Sequence, residues 1–242
     1  MIKLEKLSKS FNGRRIIDNV SFVIPEGESL AVIGPSGCGK STLLRLLTRL
    51  VEPSSGRIEI DGQDILKLSD DALGLLRRKI GLIFQGGALF DSLNVYENVA
   101  FALREHAGQL SEREIARRVG AKLAMVELGG TEKLMPAELS GGMQKRASIA
   151  RALAFDPKII LYDEPTTGLD PITSVTIENL MVKLSRELKV TSIIVTHVLQ
   201  TVDRVANQVV MLNEGKFIET GTPAETRRSN NPVVKKFITG GT

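Results

Sequence analysis

The chain has 242 residues, 42% of them hydrophobic, with 32 Lys and Arg against 28 Asp and Glu for a net charge of +4. That length suits one large or two small domains with a real core. No apolar run approaches the roughly 18 residues of a membrane span, and a single cysteine excludes internal disulfides and fits a reducing cytosol. Aromatics at 4% and no tryptophan argue against a nucleic-acid surface, which interleaves basic and aromatic residues. The basic excess reads as a solvated surface, or as a weak preference for an anionic membrane face.

The opening, Ile2 to Leu7, alternates like a strand rather than a leader peptide. A second strand, Ile16 to Ile24, follows the turn signal Asn12-Gly13. Ser29 to Ile33 is an apolar strand that runs into Gly34-Pro35-Ser36-Gly37-Cys38-Gly39-Lys40-Ser41-Thr42, which fits G-x-x-x-x-G-K-[ST]. Leu43 to Leu47 continues as a helix. Strand, glycine turn and helix N-terminus make an anion site of backbone N–H groups and helix dipole. Lys40 is then expected to reach the β- and γ-phosphates of a nucleoside triphosphate, and the Ser41 hydroxyl to ligate Mg2+. Cys38 sits inside this loop beside Lys40, a setting that lowers a thiol pKa, unless the position merely takes a small residue.

Arg57 to Asp61 with Gly62 is a further strand and turn, and Ile80 to Phe84 is an apolar strand ending in Gln85. From Val95 to about Leu128 the pattern is helical and polar, with a break near Gly108. A helix is expected from Met143 to Phe155, capped by Ser140. Lys158 to Tyr162 is a buried strand whose tip carries Asp163 and Glu164. Side chains alternate along a strand, so the acids face different ways. Asp163 can hold Mg2+ through water, and Glu164 can accept the proton of an attacking water. Ile172 to Leu188 is an amphipathic helix, and Thr191 to Val195 a buried strand ending in Thr196-His197. Gln208 to Leu212 and Lys216 to Glu219 flank a hairpin signal, Asn213-Glu214-Gly215. In the polar tail, Val233, Val234, Phe237 and Ile238 share one helical face, with Lys235 and Lys236 opposite; that face docks on its own domain or on a partner subunit.

Apolar strands alternating with helices, each strand ending in a polar residue, give an α/β fold with ligands at the carboxyl ends of the strands. The expected organisation is a single domain over 1–242. The α/β core, with an N-terminal antiparallel β subdomain, takes about 1–94 and 156–222. A helical subdomain takes 95–155, and a C-terminal tail 223–242.

Leu139-Ser140-Gly141-Gly142-Met143-Gln144 resembles the signature of ATP-binding cassette (ABC) ATPases, and six motifs follow that family's order across residues 11 to 197. The resemblance implies that the α/β core is a P-loop NTPase core of RecA-like type, that ATP and Mg2+ are cofactors, and that a second copy makes a head-to-tail dimer, because the signature completes the partner's site. Ser140 caps its helix, and Gly141 and Gly142 let a phosphate of the other subunit's nucleotide approach the backbone. By the same resemblance Phe11 stacks on adenine. Gln85 senses Mg2+ and the attacking water, while its loop touches the membrane partner. The strand before Asp163 and Glu164 is the Walker B strand, with Glu164 as catalytic base. Thr167-Gly168-Leu169-Asp170 is the D-loop at the dimer interface, with Thr-Gly where many members have Ser-Ala. His197 is the switch histidine that contacts the γ-phosphate. His106 lacks such support and reads as a surface residue.

There is room for only one cassette, no sustained heptad pattern and no fused membrane helices. What remains is a free-standing cassette serving separate membrane subunits. Phe84-Gln85-Gly86-Gly87-Ala88-Leu89-Phe90, with Leu103 to His106, Lys133 to Met143 and Asp170 to Thr173, resembles the Mla/Mce-type lipid-transport ATPases. This implies integral membrane permease subunits, an Mce-domain protein, a small accessory subunit and a peripheral place on the cytoplasmic face of the inner membrane. The alternatives are the ATPase of an amino-acid-type small-solute importer and a cell-division-type ABC ATPase.

Overall fold

Alternating segments and continuous apolar runs build two different sheets. In the computed structural model, which describes residues 1–106 and 110–240, the chain opens with β1 (Ile2–Phe11), β2 (Arg14–Ile24), β3 (Ser29–Ile33), α1 (Lys40–Leu47), β4 (Ser55–Ile60) and β5 (Gln63–Asp64). Then come α2 (Asp70–Arg78), β6 (Ile80–Ile83), α3 (Val95–His106), α4 (Glu112–Met125), α5 (Gly141–Ala152) and β7 (Ile159–Asp163). The remainder is α6 (Pro171–Leu188), β8 (Thr191–Val195), α7 (Leu199–Val205), β9 (Gln208–Asn213), β10 (Lys216–Gly221), α8 (Pro223–Arg227) and α9 (Pro232–Ile238). The expected break near Gly108 and the side chain of His106 lie outside the described residues.

The first sheet is antiparallel, in the order β2-β1-β4-β5, and the second runs β10-β9-β3-β8-β7-β6. In the second, β9, β3, β8, β7 and β6 are mutually parallel and β10 is an antiparallel edge. Every residue of β3, β7 and β8 is buried, as a parallel sheet covered on both faces requires. Two-residue turns close three hairpins, each with positive φ at both positions: Asn12-Gly13, Asp61-Gly62 and Glu214-Gly215. This geometry matches the twist of the flanking strands.

One apolar cluster lies between the sheets around Leu43, Leu44, Leu46 and Leu47 of α1. On the other side, α3, α4 and α5 share a cluster with Tyr162 of β7 and Ile177 and Leu180 of α6. A third cluster seats Val234 of α9, fully buried, among Ala31, Ile33, Val202, Val209 and Met211. The apolar face of the tail is therefore used on its own chain. Helix α5 begins two residues before Met143, because the Ser140 hydroxyl accepts the Met143 N–H and makes Gly141 its first residue. Helices α2 and α7 escape the sequence reading, although α2 carries a full set of end signals. Ser69 caps it, Asp70 and Asp71 sit in its first turn and Arg77 and Arg78 in its last. No helix among the described residues is long and apolar enough to cross a membrane.

Candidate active site

The strands β3, β8, β7 and β6 lie side by side, so the loops at their carboxyl ends form a row. That row brings together the glycine loop, His197, Asp163 with Glu164, and Gln85. The glycine loop turns into α1 at Gly39, whose φ is +111°, and a Cβ there would lie 2.7 Å from Ile16 Cγ2 on β2. Only glycine allows both the backbone and the approach. No side chain caps α1, whereas Ser140 caps α5 and Asp170 caps α6. The first N–H groups of α1 are left for an anion.

Lys40 is buried, and its Nζ donates to the carbonyls of Gly34 at 2.8 Å and Pro35 at 3.1 Å. It lies 3.7 Å from Glu164 Oε1. Ser41 Oγ donates to Asp163 Oδ1 at 2.8 Å. Burial pushes the Asp163 carboxyl above its ordinary value, opposed by the Ser41 hydrogen bond. Glu164 leaves β7 with φ +47°, a left-handed conformation that costs a residue with a Cβ about 1–2 kcal/mol. The two acids diverge through this backbone turn, not by strand alternation alone. The Glu164 N–H donates to the Val195 carbonyl at 2.9 Å. Its Oε2 accepts from Thr167 Oγ1 at 3.2 Å and Thr196 Oγ1 at 3.3 Å, and Oε1 lies 3.0 Å from His197 Nδ1. The carboxylate is thus held from three directions.

Lys40, Ser41, Glu164 and His197 open onto a cavity of 340 Å3 that Phe11, Ile16, Ser36, Gly37, Gly39, Thr42 and Gln85 also line; Asp163 does not line it and meets it only through Ser41. Phe11 reaches it from the tip of the β1–β2 hairpin, with Lys9 Nζ 4.7 Å from its ring centroid. A larger concavity of 960 Å3 lies over the antiparallel sheet and shares none of these residues. Gly34 and Pro35 do not line the 340 Å3 cavity, but contribute carbonyls to Lys40. Cys38 does not line it either: its side chain packs against the core between the sheets. Burial pushes the thiol up despite Lys40, which corrects the expectation of a lowered pKa.

Ser140, Gly141, Gly142 and Asp170 line no part of this cavity. They are brought to one another instead. A Cβ on Gly142 would lie 2.5 Å from Thr173 Cγ2, and one on Gly141 would lie 3.5 Å from Leu169. Asp170 Oδ1 accepts the N–H groups of Ile172 and Thr173, both at 3.0 Å. Sequence reasoning also missed three side chains of α5, Lys145, Ser148 and Arg151, that hold the loop after Gln85. Their only signal was a spacing of three along a helix.

Residues 17–167 match the family model described as ABC transporter. The chain is 44% identical over 239 residues to the probable ribonucleotide transport ATP-binding protein mkl of Mycobacterium tuberculosis, covering 99% of this chain and 66% of that protein. It therefore spans just under two thirds of that relative's length. It is 41% identical over 240 residues to the intermembrane phospholipid transport system ATP-binding protein MlaF of Haemophilus influenzae, covering 99% of this chain and 90% of that one. The fold resembles that of the ATP-binding cassette MJ0796, solved as a dimer in a post-hydrolysis state bound to ADP and Pi. The TM-score is 0.82 at 37% identity, over 90% of this chain and 96% of that one.

Proposed function

The chain belongs to the ABC transporter family of ATP-binding proteins, and we propose that it hydrolyses ATP to drive phospholipid movement through separate membrane subunits. The observation that carries this reading is the Glu164 carboxylate, held against Lys40 and His197 over a cavity that begins at an uncapped helix end. Residues 34–42 receive the phosphates through backbone N–H groups and Lys40. Phe11 stacks on the base. Mg2+, when bound, neutralises phosphate charge. Ser41, Gln85 and the single carboxylate Asp163 fit it, because this ion takes hard oxygen donors, keeps its waters and draws the rest from phosphates. Glu164 takes the proton of the attacking water, and His197 holds that carboxylate and meets the γ-phosphate.

Ser140, Gly141, Gly142 and Asp170 are left to serve the nucleotide of a second copy, in a head-to-tail dimer with composite sites. Their exclusion from the cavity of their own chain supports this reading, as does the dimeric cassette of the same fold. The organisation follows as a RecA-like core with a helical subdomain over 95–155, peripheral at the cytoplasmic face of the inner membrane. Its partners are permease subunits, an Mce-domain protein and a small accessory subunit.

The phospholipid reading is supported by Gln85 to Phe90 and Met143, and by near full-length correspondence to MlaF. Ribonucleotide transport, named for the mycobacterial relative, is the second reading, favoured by the 44% identity. The test is co-purification of the membrane subunits with the tagged chain, then phosphate release in lipid nanodiscs. Turnover that depends on Lys40 and responds to phospholipid supports the proposal. Turnover that responds to ribonucleotide and not to phospholipid supports the second reading.

A further inference from the structure

After β6 ends at Ile83 the chain leaves the sheet; the Phe84 carbonyl accepts the Gly87 N–H at 2.9 Å, and those of Gln85, Gly87 and Ala88 are taken by one helix. Lys145 Nζ donates to the Gln85 carbonyl. Ser148 Oγ donates to the Gly87 carbonyl at 2.8 Å. Arg151 donates to the carbonyls of Ala88 at 2.6 Å and Gly87 at 3.1 Å. These three donors lie three residues apart, on one face of α5. The loop they hold carries two consecutive left-handed residues, Gly87 at φ +73° and Ala88 at φ +51°. Glycine adopts it freely, but at Ala88 it persists only where its surroundings over-determine it. Lys145 itself is buried, and a buried ammonium is costly unless bonded. Burial pushes the Lys145 ammonium below its ordinary value, opposed in part by the charges of Asp163 and Glu164.

We propose that Lys145 is a positioning residue for ATP hydrolysis: it fixes the backbone of Gln85, and so aims the Gln85 side chain into the cavity from helix α5. The proposal rests on the reading of that cavity as the ATP site. Its consequence is mechanical. Helix α5 starts at Gly141, four residues before Lys145. One rigid turn of helix therefore joins the group facing the chain's own nucleotide to the segment that serves the second copy. Ser148 and Arg151 extend the attachment for a further turn and a half, so the loop follows α5 rather than the sheet.

The test is steady-state and single-turnover phosphate release by the full chain carrying Lys145→Met, Lys145→Gln and Gln85→Ala, alone and combined. Lys145→Met should lower kcat about tenfold with KM for ATP within about threefold, because the loss falls on the chemical step. Lys145→Gln, which keeps a donor, should recover most of that loss. In the Gln85→Ala background Lys145→Met should cost nothing more, since the side chain it aims is already gone. A purely structural role would give a loss independent of Gln85. Unchanged kcat in Lys145→Met, or losses that multiply in the double variant, overturns the proposal. If Lys145→Met fails to fold, Ser148→Ala replaces it: a smaller kcat loss that vanishes with Gln85→Ala supports the proposal, and an additive one overturns it. Wild-type turnover beside an unaffected Lys145→Met sinks this inference alone, whereas a wild-type chain without turnover sinks the ATPase reading as well.

Discussion

Glu164→Gln separates binding from chemistry. The substitution keeps volume and planarity at a side chain that is 10% exposed, so the turn after β7 has no reason to move. The hydroxyls of Thr167 and Thr196, now bonded to Oε2 at 3.2 and 3.3 Å, remain within reach of the amide. Lys40 loses only its 3.7 Å ion pair and keeps both carbonyl bonds. Nucleotide affinity should therefore stay within about threefold or tighten, because a negative charge has left the phosphate site. The chemical step loses its proton acceptor. A positioned general base contributes roughly 10²- to 10⁴-fold, so kcat should fall by that factor, or about 3–5 kcal/mol in barrier. The assay pairs single-turnover phosphate release with equilibrium binding of a fluorescent ATP analogue. Light scattering should show an ATP-loaded dimer accumulating in the variant and not in wild type. Hydrolysis within about threefold of wild type would refute the role of Glu164. Weak nucleotide binding with normal folding would refute the claim that Lys40 and the loop bind independently of it.

Hydrogen bonding from Thr173 holds the Asp170 carboxyl below its ordinary value, so its capping stabilisation is present above the unfolded chain's pKa and is lost as pH falls through the folded one. The melting-temperature gap between wild type and Asp170→Ala should hold down to about pH 4 and narrow only below it, as pH falls through the depressed folded value; a gap that stays constant there would contradict that assignment. The Tyr162 hydroxyl is fully buried without a hydrogen-bond partner among the described residues. Removing such a group is favourable by about 1 kcal/mol, so Tyr162→Phe should raise the melting temperature by about 2–4 °C, and a lowered one would mean that the hydroxyl is satisfied. Gly142→Ala places a Cβ 2.5 Å from Thr173 Cγ2. It should displace the start of α5 from α6 and reduce turnover while nucleotide binding to the single chain is kept; full turnover would show that this contact yields without consequence.

The linear motifs were legible because each packs its chemistry into a few consecutive residues. The loop from Gly34 to Thr42, the acids after Lys158–Tyr162, the signature at Ser140 and the histidine after β8 announce themselves by local pattern. So did the three hairpin turns, since positive φ selects Asn, Asp and Gly. Glu214 is a turn residue that propensity alone would not choose. What the local pattern could not contain is the order β3-β8-β7-β6, which seats residues from four distant segments on one rim. Strand order is set by which apolar faces cover one another, a non-local quantity. The same limit hid the direction of Cys38, whose thiol burial outweighs the nearby lysine. It also hid the left-handed turn at Glu164, the seating of Val234 on its own chain and the grip of Lys145 on the Gln85 carbonyl. Residue types determined which chemistry was available. Packing decided which of those groups meet, because a hydrogen bond or an ion pair exists only where the fold has already paid to bring its two ends together.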